Sequence, residues 1–202
     1  IMGYANAMLE LLSQATDQGV EIDYIVVCCG AGGTHAGLLL GAKALNTGIK
    51  VIGISNSPPN KVKLVTPLVN KGAQLLDIDL TLKPEDVTVF TEYVGKGYGI
   101  IYKEVADAIK LVAETEGIFL DPVYTGKAMT GLIDLVKKGY FAKKDTVVFL
   151  HTGGTPALFA YKTPIKCLLE SKTPQWTKPP WGAPGLSELF EKSVIANEKK
   201  LV

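Results

Sequence analysis

Apolar residues recur at helical spacing over residues 3–14, where Ala5, Met8, Leu9, Leu11 and Leu12 fall three and four apart, and Gly19 follows as a stop signal. Residues 24–29 then form an unbroken apolar, β-branched run, the pattern of a strand buried on both faces of a parallel sheet. A second helix is predicted over 35–45 and a second buried strand over 50–54. Residues 62–70 return to helical spacing, but Pro67 predicts a kink or an end there. Residues 87–93 alternate as an exposed strand does. Residues 102–116 and 127–138 read as helices, with 118–120 a short apolar strand or turn between them and 146–150 the last buried strand. Strands alternating with helices of this length predict an α/β fold, a parallel sheet flanked by helices.

This periodicity covers residues 1–161, which we take as one domain, and 162–202 as a separate tail. From Lys162 to Pro184 the chain is rich in proline, carries Trp176 and Trp181, and reads as a linker. Residues 186–195 have the spacing of one short amphipathic helix. At 202 residues the chain is long enough for one domain with an appendage. It begins with Ile1 directly inside a helical pattern, so the expectation is that a preceding part of the domain is missing.

Composition narrows the function classes. The chain is 47% hydrophobic and 20% charged with a formal net charge of +1, so no basic or acidic excess points to nucleic acid or a membrane surface. No apolar run approaches the roughly 20 residues of a membrane span. The three cysteines, Cys28, Cys29 and Cys167, form no CxxC pair and no metal-ligand spacing, which leaves a reducing cytoplasm as the expected compartment and no metal site.

The candidate chemistry starts at Gly30-Ala31-Gly32-Gly33-Thr34, between a buried strand and a helix. Glycines let a backbone approach a phosphate, and the free N–H groups and dipole of a helix start favour negative charge. A triphosphate loop requires Gly-Lys-Ser/Thr, whereas Thr34-His35 follows Gly33 here. A dinucleotide site requires a third glycine where His35 stands and a carboxylate after the next strand, where the chain reads Ser55-Asn56-Ser57. A small phosphorylated cofactor and a purely structural glycine turn remain. A second glycine turn, His151-Thr152-Gly153-Gly154-Thr155-Pro156, closes the last strand. Strand ends of a parallel sheet gather at one edge, so both turns can face one cleft. A third segment, Asp121-Pro122-Val123-Tyr124-Thr125-Gly126-Lys127, puts a tyrosine and a threonine directly before a helix.

Together these motifs resemble a known family. Cys29 to Gly37, Glu116-Gly117 with Asp121 to Met129, and His151 to Gly154 with Pro156 to Tyr161 occur in family order, and Gly3-Tyr4 and Gly97-Tyr98-Gly99 fit as well. The chain is similar to the pyridoxal-phosphate-dependent D-cysteine desulfhydrase and 1-aminocyclopropane-1-carboxylate deaminase family, over about residues 3–161. The resemblance implies a tryptophan synthase β-like, fold type II architecture, pyridoxal 5'-phosphate as cofactor, a small amino-acid substrate and a homodimer when intact. It implies that Gly30, Ala31, Gly32, Gly33 and Thr34 hold the cofactor phosphate, that Thr125 and Thr152 belong to the cofactor site with Thr152 facing the ring nitrogen, and that Tyr124 is the catalytic acid, base or stacking partner. Tyrosine titrates near a pKa of about 10, so Tyr124 needs tuning by its neighbours.

Deaminases of the family read Tyr-Glu where this chain has Tyr124-Thr125, and Leu-Gly-Gly where it has Thr152-Gly153-Gly154, so the resemblance leans to the desulfhydrases, which cleave D-cysteine to pyruvate, sulfide and ammonia. After Gly99 the chain runs Ile100-Ile101-Tyr102 where relatives carry proline and polar residues. The lysine that binds the cofactor as a Schiff base lies in the family's amino-terminal part, and no lysine here matches its motif. The chain alone is therefore expected to be an inactive fragment. The alternatives are the cyclopropane-ring-opening deaminase and a truncated, non-catalytic binding module. Lys127, at a helix start, reads as solvated; His35 and His151 read as structural; Cys28 and Cys29 read as buried apolar filler.

Overall fold

The computed structural model describes residues 1–58 and 60–174. The apolar run at 24–29 becomes β1 (Tyr24–Cys29), and its alternation explains why it has no polar face. Ile25, Val27 and Cys29 face one core with Met8, Leu38 and Val65, while Val26 and Cys28 face a second with Ile52, Ile54, Ala128 and Leu135. β1 pairs in parallel with β2 (Lys50–Ser55) on one side and with β4 (Val147–Phe149) on the other. β3 (Thr88–Phe90) pairs in parallel with β2, which gives the order β3-β2-β1-β4. A parallel sheet needs crossovers, and helices α2 (Gly33–Ala44) and α3 (Val62–Leu75) supply them on the first face, together with α1 (Met2–Asp17). α5 (Thr125–Lys137) covers the opposite face, and α4 (Lys103–Glu116) packs outside it.

Several expectations change in detail. α3 runs through Pro67. The ring and the Lys63 carbonyl, to which Pro67 offers no helical N–H, are on exposed residues, while Val65, Val69 and Ala73 keep the buried stripe intact. Residues 118–120 form neither strand nor helix. β4 lies at the end of the described sheet, so its three residues are half-buried rather than buried. The linker reading from Lys162 gives way to structure over α7 (Lys162–Leu169), which follows α6 (Ala157–Ala160). Ile165 and Leu168 pack on the cluster of Ile101, Val105, Ile109 and Leu120, and Pro164, the third helical residue, sits where a missing N–H costs nothing. Trp176, Trp181 and the helix expected over 186–195 lie outside the described residues. Among the described residues no helix is long and apolar enough to cross a membrane.

The chain leaves β1 toward β2 and β3, then returns to β4 on the other side of β1. At that reversal the loops after β1 and β4 diverge and leave a crevice beyond the strand ends. Both glycine turns lie there.

Candidate functional site

β1 ends in Cys29, and the chain turns through Gly30, Ala31 and Gly32 into α2. Gly32, the N-cap, has φ of 85°, a conformation that side chains rarely adopt, and a Cβ there would stand 3.2 Å from Val65 Cγ2. The cap makes no side-chain hydrogen bond and the first turn holds no acidic residue. The first intrahelical bond joins the Ala36 N–H to the Gly32 carbonyl at 2.8 Å, so the amides of Gly33, Thr34 and His35 precede the helix ladder. This cradle fits a phosphate: bare backbone, an uncapped helix start and the Thr34 hydroxyl face one opening. It belongs to a cleft of about 470 Å³ lined by Gly30, Ala31, Gly32, Gly33 and Thr34 on one side, Thr152, Gly153 and Gly154 on another, and Tyr124. No lysine and no carboxylate lines this cleft among the described residues. Beneath Gly30, the Asn56 Nδ2 is a buried donor without a partner among the described residues.

Tyr124 is aimed by Asp121. The Asp121 carboxylate is 1% exposed and accepts the N–H groups of Val123, Tyr124 and Thr125 at 2.8, 2.8 and 2.7 Å and the Thr125 hydroxyl at 2.8 Å. A carboxylate at the start of α5 satisfies its first amides and complements the helix dipole. Thr125 is thereby separated from the other site candidates. It is fully buried, its Oγ1 also accepts the Asp121 N–H at 2.7 Å, and it does not line the cleft. Its place is in the scaffold behind Tyr124.

The partner of Tyr124 is a residue to which the sequence assigned no role. Tyr98 and Tyr124 share a hydrogen bond between their hydroxyls at 2.5 Å, with the rings edge to face at 5.9 Å. Burial, and then the bond to Tyr124, raise the pKa of Tyr98, so Tyr98 stays protonated. The signal was the pair of glycines bracketing an aromatic in Gly97-Tyr98-Gly99.

Lys127 corrects the solvated reading. Its side chain is fully buried and donates to the carbonyls of Asn56, Val94 and Gly97 at 3.3, 2.7 and 2.7 Å. An ammonium has three N–H donors, and three carbonyls meet them. Burial lowers its pKa to about 8. His35 is fully buried, with Nε2 donating to the Val51 carbonyl at 3.3 Å and Nδ1 without a partner among the described residues; burial lowers its pKa to about 4. His151 Nε2 donates to the Phe119 carbonyl at 3.1 Å and Nδ1 accepts the Gly153 N–H at 3.2 Å, which ties the second glycine turn to residues 118–120. Both histidines are thus engaged with the scaffold. Cys28 borders the cleft, but burial and then Asp121 push its thiol pKa up, and burial pushes Cys29 up to about 11, so neither is a thiolate at neutral pH.

The profile of the pyridoxal-phosphate dependent enzyme family matches residues 1–153. The chain is 37% identical over 162 residues to a 1-aminocyclopropane-1-carboxylate deaminase of Bradyrhizobium sp. (strain BTAi1 / ATCC BAA-1182), covering 79% of this chain and 48% of that protein. It is 41% identical over 162 residues to a D-cysteine desulfhydrase of Klebsiella pneumoniae (strain 342), with the same 79% and 48% coverage. The crystal structure of an ACC deaminase homologue superposes with a TM-score of 0.73 at 38% identity, over 83% of this chain and 49% of that one. The chain spans about half the length of the curated relatives it matches.

Proposed function

Since this chain belongs to the pyridoxal-phosphate dependent enzyme family, we propose that it forms the phosphate-binding and ring-edge wall of a lyase that breaks down D-cysteine to pyruvate, sulfide and ammonia. The observation that carries this reading is the meeting of the Gly30–Thr34 cradle, the Thr152 turn and the Tyr98–Tyr124 pair around one cleft at the reversal of strand order. When bound, pyridoxal phosphate supplies an electron sink for bond cleavage at the amino acid's α-carbon.

The residues of this chain divide the remaining work. The amides at the start of α2 and the Thr34 hydroxyl hold the phosphate. Thr152 offers the ring edge a neutral hydroxyl and no charge, which keeps the electron sink weaker than a carboxylate would. Tyr98, held protonated, shares one hydrogen bond with the Tyr124 hydroxyl in which either oxygen can donate, and in the arrangement where Tyr98 donates the Tyr124 proton is directed at the cleft. Tyr124 then gives or takes a proton at the substrate. Because no lysine borders the cleft among the described residues, the amine that anchors the cofactor is assigned to the half of the whole protein that this chain does not span.

The second reading is 1-aminocyclopropane-1-carboxylate deamination, which relatives of similar identity favour. The experiment is to assay the protein from its full reading frame with both amino acids, following sulfide and ammonia, beside a Tyr124→Phe variant. Sulfide from D-cysteine, lost by about 100-fold in the variant, is the expected result. Ammonia from the cyclopropane substrate alone moves the assignment to the deaminase. Cofactor binding with neither product leaves a binding module.

A further inference from the structure

Residues 95–102, which carry Tyr98, belong to no helix or strand. A turn bond within them, from the Ile100 N–H to the Gly97 carbonyl, is long at 3.3 Å. Yet Tyr98 must keep its hydroxyl 2.5 Å from Tyr124, which is fixed independently by Asp121. Two side chains grip the carbonyls of the glycines on either side of Tyr98. Lys127 Nζ donates to the Gly97 carbonyl at 2.7 Å, and the Tyr161 hydroxyl donates to the Gly99 carbonyl at 2.6 Å. Both side chains are fully buried and come from different elements, Lys127 from the first turn of α5 and Tyr161 from the junction of α6 and α7. Lys127 also holds Val94 and Asn56, so the loop is tied to the end of β2. A buried ammonium and a buried phenol are costly to desolvate, and neither is aimed at the cleft.

The geometry points to a positioning clamp: Lys127 and Tyr161 fix the carbonyls of the two glycines that flank Tyr98 so that its hydroxyl meets Tyr124 in the cleft. The clamp rests on the reading of Tyr124 as the proton-transfer residue, but its geometry can be tested without the cofactor or turnover.

The test is tyrosine NMR on this chain labelled with carbon-13 at Cζ, the Tyr98 resonance being assigned by its loss in Tyr98→Phe. In the parent chain, Tyr124→Phe removes the shared hydrogen bond and shifts the Tyr98 resonance. In Tyr161→Phe, which deletes one hydroxyl, and in Lys127→Met, the same Tyr124→Phe change is expected to leave the Tyr98 resonance nearly unmoved, because the two hydroxyls no longer meet. An undiminished shift in Tyr161→Phe overturns the clamp, and should Lys127→Met fail to fold, Tyr161→Phe decides alone. In the protein from the full reading frame, Tyr161→Phe is expected to lower kcat by about tenfold with KM nearly unchanged, the split of a misplaced proton donor. Full-length protein inert toward both amino acids, with the NMR coupling lost in the clamp variants, overturns the functional reading and upholds the clamp.

Discussion

His35 stands at the third residue of α2, directly behind the phosphate cradle, and its ring is wedged against β2. A Cβ on Gly53 would lie 2.5 Å from His35 Nδ1, so the ring packs directly against β2. The imidazole is therefore held neutral, with its pKa lowered from 6.5 to about 4 by burial. Between those values the unfolded chain binds a proton that the folded chain does not, so stability rises with pH across the window, is fully present above pH 6.5 and is lost as the pH falls toward 4. At 1.36 kcal/mol per unit the loss is about 3 kcal/mol, or roughly 6–12 °C in Tm for a chain of this size. Carboxylates also weaken the fold in acid, so the measurement is a difference. Urea unfolding of the parent and of His35→Leu is followed from pH 7 to pH 4. The variant forfeits the bond to the Val51 carbonyl, worth about 1 kcal/mol at every pH. The gap between the two proteins should close or reverse by about 3 kcal/mol as the pH falls. Parallel curves would refute the neutral, buried histidine.

Two further outcomes follow from the site. Asp121→Ala leaves three amides at the start of α5 without their acceptor and should destabilise the chain by at least about 3 kcal/mol in urea unfolding, with Asp121→Asn intermediate because it keeps one carbonyl oxygen. Gly154→Ala, at φ of 86°, would put a Cβ 2.9 Å from Asp121 Cγ, whereas Gly153→Ala, at φ of 89°, meets nothing within 4 Å. In equilibrium dialysis against pyridoxal phosphate, Gly154→Ala should therefore weaken binding at least about tenfold more than Gly153→Ala, and equal losses would mean that backbone strain alone matters there.

β1 and β2 were legible because two-sided burial leaves an uninterrupted apolar run, a pattern visible without knowing any partner. The cradle was legible because its glycines stand between that run and a helix. Lys127 was not: sequence records a charge at a helix start, while its burial depends on carbonyls 71, 33 and 30 residues away. Tyr98 failed for a similar reason, since its contact with Tyr124 spans 26 residues. α7 was misread through Pro164, which signals a linker by composition and a helix start by position. What escaped was long-range pairing of polar groups, which has no period along the chain.

The same distinction bears on substrate choice. Two threonines lean the sequence toward D-cysteine, but they do so from different places. Thr125 is fully buried, gives its hydroxyl proton to Asp121 and accepts the Asp121 N–H. An ionised glutamate, the residue that deaminases of the family carry at this position, has no proton to give Asp121 and would set a second carboxylate beside it, where like charges disfavour each other. Exchange at 125 therefore rebuilds the turn that aims Tyr124 before it touches any substrate. Thr152 borders the cleft, and exchanging it for leucine removes a polar group from the wall while leaving the Gly153 and Gly154 turn in place. If Thr152 faces the ring as proposed, the electronic part of the difference between the two chemistries belongs to position 152, and position 125 acts through the placement of Tyr124. A chain converted at 152 alone would keep the Asp121–Thr125 turn that aims Tyr124, and one converted at 125 alone would disturb that turn while leaving the cleft-lining residue at 152 unchanged.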